Sequence, residues 1–305
     1  KTGPYAGVPY EGNDPAYRDL YYDNAGYTID GGNWYTKNEW FHKHWYQRIK
    51  DLVDKYHPDL LYSDGPLPYD EYGRRIVAHL YNTSVADHGE NRAVYNQKDT
   101  NPDIFTVGVL DIERGQMNEI AEHPWQTDTS VGDWFYNVKD VYKTPQHVIE
   151  SLIDMTSKNG NLLLNIPQRP DGTLDDECTY LLKQLGIWIK TNGEGIFATR
   201  PWKIAGEGPA SSPKGAFNEQ AVQWTSEDFR FTQKGNILFA FQMRRPESNA
   251  SMIHSLAQSK SRRVQDAVLL GAGAVRFQQT ADGLNITLPD ADIQAGPHCF
   301  ALTLE

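Results

Sequence analysis

The chain has 305 residues and a mass of 34.6 kDa, 39% of them hydrophobic and 12% aromatic, enough for one large domain or two. Its 29 basic against 40 acidic residues give a net charge of −11, which argues against nucleic acid as a partner. No run of 18 apolar residues occurs, so neither a transmembrane helix nor a membrane partner is expected.

Residues 1–37 are rich in Gly, Pro, Asn, Asp and Tyr without a sustained period and read as a long loop. The opening Lys1-Thr2-Gly3-Pro4 carries no signal peptide and reads as the middle of something longer. From Asn38, a fair N-cap, Phe41, Trp45, Ile49, Leu52, Val53 and Tyr56 fall at helical spacing. Four residues suited to a buried strand follow, Leu60 to Ser63, and they deliver Asp64 directly onto the turn Gly65-Pro66. Helix, short strand, carboxylate and turn are how a (β/α) barrel presents an acid at the C-terminal end of a strand, although Asp before Gly is also a common turn residue.

The spacing predicts a second helix over about 69–81, a short strand at Ala93 to Asn96 and a polar loop from Gln97 to Pro102. Phe105 to Ile112 reads as extended and ends in Asp111-Ile112-Glu113-Arg114-Gly115, a second acid beside a Gly. A polar and aromatic loop is expected from His123 to Asp128 and again around Trp134. Thr144-Pro145 opens a helix, Asn161 to Ile166 is a buried strand, and a further helix covers about 175–191. This alternation predicts a parallel α/β layer. After Trp202 the pattern turns to short strands separated by turn signals, predicting an antiparallel sandwich, with 205–215 as linker. The domains expected are therefore 1–203 and 216–305.

Cys178 and Cys299, the two cysteines, are expected as free buried thiols. Eight Trp and 17 Tyr exceed what a core needs, and aromatic faces suit sugar rings. Two acids at strand ends, Asp64 and Glu113, suggest glycoside hydrolysis, with Asp111, Glu119 and Glu122 competing with Glu113. That chemistry needs no cofactor or metal, and His42 and His44, two apart on one helix, diverge.

The motifs sharpen this reading. Leu61-Tyr62-Ser63-Asp64-Gly65 resembles the tryptophan-phenylalanine-aspartate-glycine motif of glycoside hydrolase family 29 α-L-fucosidases. Gly160 to Pro167 with Pro170-Asp171-Gly172, and Gly186 to Trp202 with Asn192-Gly193-Glu194-Gly195, resemble two further signatures of that family. Phe229 to Thr232 and Val268 to Gly271 resemble its C-terminal sandwich. The resemblance runs from about residue 38 to the end. It implies a retaining exo-hydrolase that releases α-L-fucose from fucosylated glycans, with a (β/α) barrel followed by a sandwich. By motif match Asp64 is the nucleophile, and Glu113 stands where the family usually places the acid/base. Tyr62 takes the place of the motif's Trp, Lys98 stands roughly where the family often has an Arg in the sugar site, and Trp134 looks like its aromatic contact to the sugar. A secreted, periplasmic or lysosome-like location is implied as well.

The family's first barrel half is not recognised here. A companion chain, a cleaved or truncated enzyme, or a reorganised barrel each fits that departure. The rival reading is a remnant that binds fucosylated glycans without cleaving them.

Overall fold

The computed structural model describes residues 7–9, 11, 14–17, 37–98, 107–258, 263–289 and 296–305. The loop expected over 1–37 and the extended start at Phe105 lie mostly outside the described residues. The chain divides into two compact units, residues 1–97 with 106–108, and residues 98–105 with 109–305.

In the first unit, helix α1 (Glu39–Tyr56) starts where Asn38 accepts the backbone N–H of Trp40, as its sequence foretold. Strand β1 (Leu60–Ser63) pairs in parallel with β2 (Val94–Lys98), Leu60 opposite Val94 and Ser63 opposite Gln97. Between them lies helix α2 (Glu71–His88), which begins two residues later and ends seven later than its period suggested. Tyr69 and Asp70 delay its start, since both hold positive φ, and Gly89 stops it in the left-handed conformation. Strand β2 also runs through Gln97 and Lys98, which read as loop because they are polar; Gln97 is nevertheless buried.

In the second unit, β4 (Trp125–Ser130) pairs in parallel with β3 (Val109–Asp111) and with β5 (Gly160–Asn165). The segment expected as loop from His123 to Asp128 is thus largely strand. Its polarity disguised it, because Thr127, Asp128, Thr129 and Ser130 are all buried. Helices α3 (Pro145–Ser157) and α4 (Asp176–Asn192) start on side-chain caps from Thr144 and Asp175. Among the described residues five strands are parallel, short of the eight of a complete barrel, and this parallel layer is an incomplete (β/α) barrel.

Among the described residues the antiparallel part has six strands in the order β11-β10-β14-β8-β7-β6 and three in the order β12-β13-β9. The strands are β6 (Arg200–Glu207), β7 (Phe229–Lys234), β8 (Ile237–Gln242), β9 (Ala250–Ile253), β10 (Val264–Leu269), β11 (Gly273–Ala274), β12 (Arg276–Gln279), β13 (Leu284–Thr287) and β14 (His298–Leu304). Strand β6 crosses the boundary expected at 203 and takes in the first residues of the stretch expected as linker. Strand β8 explains why the sequence shows a continuous apolar run. Leu238 and Ala240 pack into the sandwich core with Phe229, Phe231 and Phe300. Phe239 and Phe241 face the opposite way, into a second core with Leu181, Leu185 and Trp188 of α4. A strand covered on both faces has no solvent side to alternate with. Cys178 of α4 and Cys299 of β14 sit in that second core, free and fully buried, as expected.

A buried charge cluster ties α3 to the sheet. Asp154 Oδ1 accepts from Arg230 Nε of β7 at 2.6 Å, and its Oδ2 accepts from Lys158 Nζ and Ser212 Oγ, each at 2.6 Å. Burial pushes the Asp154 carboxyl up, but the charges of Lys158 and Arg230 more than reverse this and hold it below the ordinary Asp value. Its stabilising contribution is present above the unfolded pKa and is lost as pH falls through the folded one. Removing a partner of a buried charge costs far more than removing a neutral donor. Arg230→Ala should lower stability by about 3–5 kcal/mol, and Ser212→Ala by only about 1 kcal/mol. Urea titrations of the two variants check this.

Candidate functional site

Each unit places one of the two expected acids directly after a parallel strand. In the first, Asp64 follows β1 and is exposed. Gly65 adopts φ +143°, a conformation that other residues rarely adopt, and donates to Ser63 O at 2.9 Å. The strand therefore ends on the carboxylate. Asp64 lines a cavity of about 240 Å³ with Tyr62, Ser63, Trp45, Leu67 and Tyr95. Tyr62 thus shares the nucleophile candidate's cavity.

In the second unit, Glu113 follows the C-terminal end of β3. Glu119 and Glu122 are exposed and precede the start of β4, away from the strand ends where barrels place their sites. Glu113 alone of these three follows the C-terminal end of a parallel strand. Lys98 Nζ lies 2.8 Å from Glu113 Oε2 and 3.0 Å from Asp128 Oδ2. The same ammonium is 5.9 Å from the centroid of Trp134, and the Arg114 guanidinium is 4.5 Å from it. Trp134 is half-buried in the loop after β4, outside the core clusters. Lys98, Glu113 and Trp134 are therefore neighbours.

Asp111, the third competitor, is buried at the end of β3, where Gln126 Nε2 donates to its Oδ2. Burial raises its pKa to about 8, and a hydrogen bond with Asp128 adds to the rise. Asp111 Oδ1 and Asp128 Oδ1 are both buried without a donor among the described residues. A proton on the raised Asp111 carboxyl would supply such a donor.

The loop that carries Glu113 is clamped from two sides. Ile112 N donates to Gln126 O and Arg114 N to Asp128 O, both at 2.9 Å. On the other side Phe217 N donates to Glu113 O, Asn218 N to Arg114 O and Gly215 N to Gln116 O, each at 2.9 Å. Gly115 is required here, since a Cβ on it would lie 1.9 Å from Gly215 O. Arg114 holds φ +44°, a strained value for a non-glycine residue.

Sequence reasoning missed Asp128, Arg114, Lys143 and Glu219. Asp128 lay hidden in a polar strand, and no spacing links Arg114 to Glu219, 105 residues away. Among the described residues no group of three or more His, Cys, Asp or Glu side chains is placed to hold a metal ion.

A parallel strand–helix repeat followed by antiparallel sheets defines the class: an incomplete (β/α) barrel protein with a C-terminal sandwich. The chain belongs to the alpha-L-fucosidase family: residues 5–194 match its family model, and residues 222–305 match that of the alpha-L-fucosidase C-terminal domain. The family match thus begins well before residue 38, where the motifs alone placed it. Human tissue alpha-L-fucosidase is 26% identical over 292 residues, covering 92% of this chain and 58% of that protein. Human plasma alpha-L-fucosidase is 28% identical over 202 residues, covering 56% of this chain and 42% of its own. The chain therefore spans little more than half the length of the tissue enzyme. A solved alpha-L-fucosidase shares the fold with a TM-score of 0.67 at 22% identity, covering 87% of this chain and 56% of that one. The Thermotoga maritima alpha-fucosidase in complex with fucose does so with a TM-score of 0.65, also at 22% identity, covering 86% and 56%.

The proton of Asp111 gives a pH signature. The unfolded chain releases it near the ordinary Asp value of 3.8 and the folded chain only at about 8. The contribution of Asp111 to wild-type stability therefore falls as pH rises through that window and levels off above it. Asp111→Asn keeps a donor for Asp128 and cannot ionise. Denaturant titrations at about pH 5 and about pH 9 should show the variant gaining stability relative to wild type at the higher pH.

Proposed function

We propose that the chain carries the catalytic acids of an exo-acting, retaining glycoside hydrolase that releases α-L-fucose from fucosylated glycans. The observation that carries the reading is membership of the alpha-L-fucosidase family over residues 5–194, which include both strand-end acids. Asp64 is the nucleophile. As a carboxylate it attacks the anomeric carbon, and a covalent fucosyl-enzyme forms as the leaving group departs. Glu113 is the acid/base. It protonates the departing oxygen and then takes a proton from the water that releases fucose. Lys98 has two carboxylate partners, so it can stay with Asp128 while Glu113 carries the proton. Tyr62 walls the nucleophile's cavity, and Trp134 offers its ring to the sugar.

Residues up to about 203 form the catalytic part and those from 216 the sandwich, with β6 and the segment after it joining the two. The remaining barrel strands, from the same polypeptide or a companion chain, complete the sugar site. Relatives named as tissue and plasma enzymes support a secreted or lysosome-like location. Among the described residues no helix is long and apolar enough to cross a membrane.

The reading against non-catalytic binding is tested on the intact protein. A 2-fluoro-fucosyl fluoride should add its sugar mass to the peptide that contains Asp64, and Asp64→Ala should abolish both labelling and turnover. Glu113→Ala should slow alkyl fucosides by about 10²–10⁴-fold and spare an aryl fucoside with a good leaving group far more. Fucoside binding with no turnover would establish the binding-module reading instead.

A further inference from the structure

Residues 195–221 fall between the two family matches, which end at 194 and resume at 222. Part of that stretch nevertheless reaches the loop that carries Glu113. Gly215, Phe217 and Asn218 make the three backbone hydrogen bonds to it described above, and Glu219 follows at once. Its side chain is only 15% exposed and meets two cations with one oxygen: Lys143 Nζ lies 3.0 Å from Glu219 Oε2 and Arg114 Nη1 3.5 Å from the same atom.

The two cations are not equally anchored. Lys143 also donates to Thr129 Oγ1 at 2.8 Å and to Ser130 O at 2.7 Å. Among the described residues Arg114 has one other acceptor, Gly132 O at 2.9 Å, and otherwise lies over the ring of Trp134. Without the carboxylate, a guanidinium and an ammonium would face each other in a site with little water to screen them. Lys143 would hold its place and Arg114 would swing away, uncovering Trp134.

We infer that Glu219 is a positioning residue of the sugar site, which holds Arg114 against Trp134 by neutralising it together with Lys143. The inference rests on the proposed role of Trp134 as the ring that meets fucose. The segment between the two family matches then helps to build the site as well as connect domains.

The test uses the intact protein and the variants Glu219→Ala, Glu219→Gln and Trp134→Ala. In the absence of sugar, the Arg114 side-chain protons should show an upfield ring-current shift that Trp134→Ala removes. Glu219→Ala should remove it too, and Glu219→Gln, which keeps an acceptor, should restore part of it. With a fucose-shaped iminocyclitol and an aryl fucoside, Glu219→Ala should raise Kd and KM about tenfold, the scale of coupling between contacting side chains, and change kcat much less. In the Trp134→Ala background the same substitution should add little. A retained Arg114 shift in a folded Glu219→Ala protein overturns the inference, as does an effect on binding that adds in full to that of Trp134→Ala. If Trp134→Ala leaves fucoside binding unchanged, the proposed role of Trp134 fails, while the ring-current measurement still decides whether Glu219 positions Arg114.

Discussion

The second unit hangs on the buried carboxylate of Asp154. It is 1% exposed, and such a charge persists only where opposite charge and hydrogen bonds surround it. Its partners come from three places: Lys158 just after its own helix, Arg230 from the six-stranded sheet, and Ser212 from the segment before that strand. The cluster sets helix, sheet and connecting segment in one arrangement. Lys158 passes the constraint on, since its carbonyl accepts from Trp125 Nε1 at 3.0 Å and from Ala121 N at 3.2 Å. Its ammonium also reaches Gln116 Oε1 at 3.4 Å, on the loop that carries Glu113.

The packing of the six-stranded sheet follows the same logic. On β7, Phe229 and Phe231 point into the sandwich and Arg230 points the other way, where its guanidinium also lies 4.5 Å from the centroid of Trp224. On β8 the alternation is apolar on both sides, because α3 and α4 cover the face that a free-standing sandwich would expose to water. Trp188 of α4 donates to Pro297 O at 2.7 Å, just before β14. The sandwich is therefore a structural continuation of the helices, and the proposed acid/base loop inherits its rigidity from both.

The sequence made the helices and the buried strands legible, because their caps and periods act locally. Asn38 caps as expected, the helices read as opening at Thr144 and about Asp175 do begin there, and the apolar runs of β5, β7 and β8 are strands. Pattern failed where chemistry replaced packing. Strand β4 reads as loop because four consecutive polar residues, Thr127 to Ser130, satisfy their side chains within the site instead of filling a core. The place of Gln97 and Lys98 at the end of β2 was hidden for the same reason. Glu113, Lys98 and Trp134 could be named from a resemblance to family motifs, but the carboxyl pair of Asp111 and Asp128 needed three dimensions. So did the pairing of Glu219 with Arg114, which no local rule connects.

The two thiols have a consequence of their own. Burial raises the pKa of Cys178, with the Asp175 charge adding to the rise, and raises that of Cys299 well above the usual thiol value. Neither sulfur is both exposed and ionised in the folded state, so neither is a nucleophile there. A thiol reagent can reach them only when the core shared by α4 and the sheet opens. The molecule thus contains a built-in clock: with excess reagent the labelling rate at Cys178 and Cys299 reports how often helix and sheet part company. Comparing the two sites shows whether they part as one body or one side at a time.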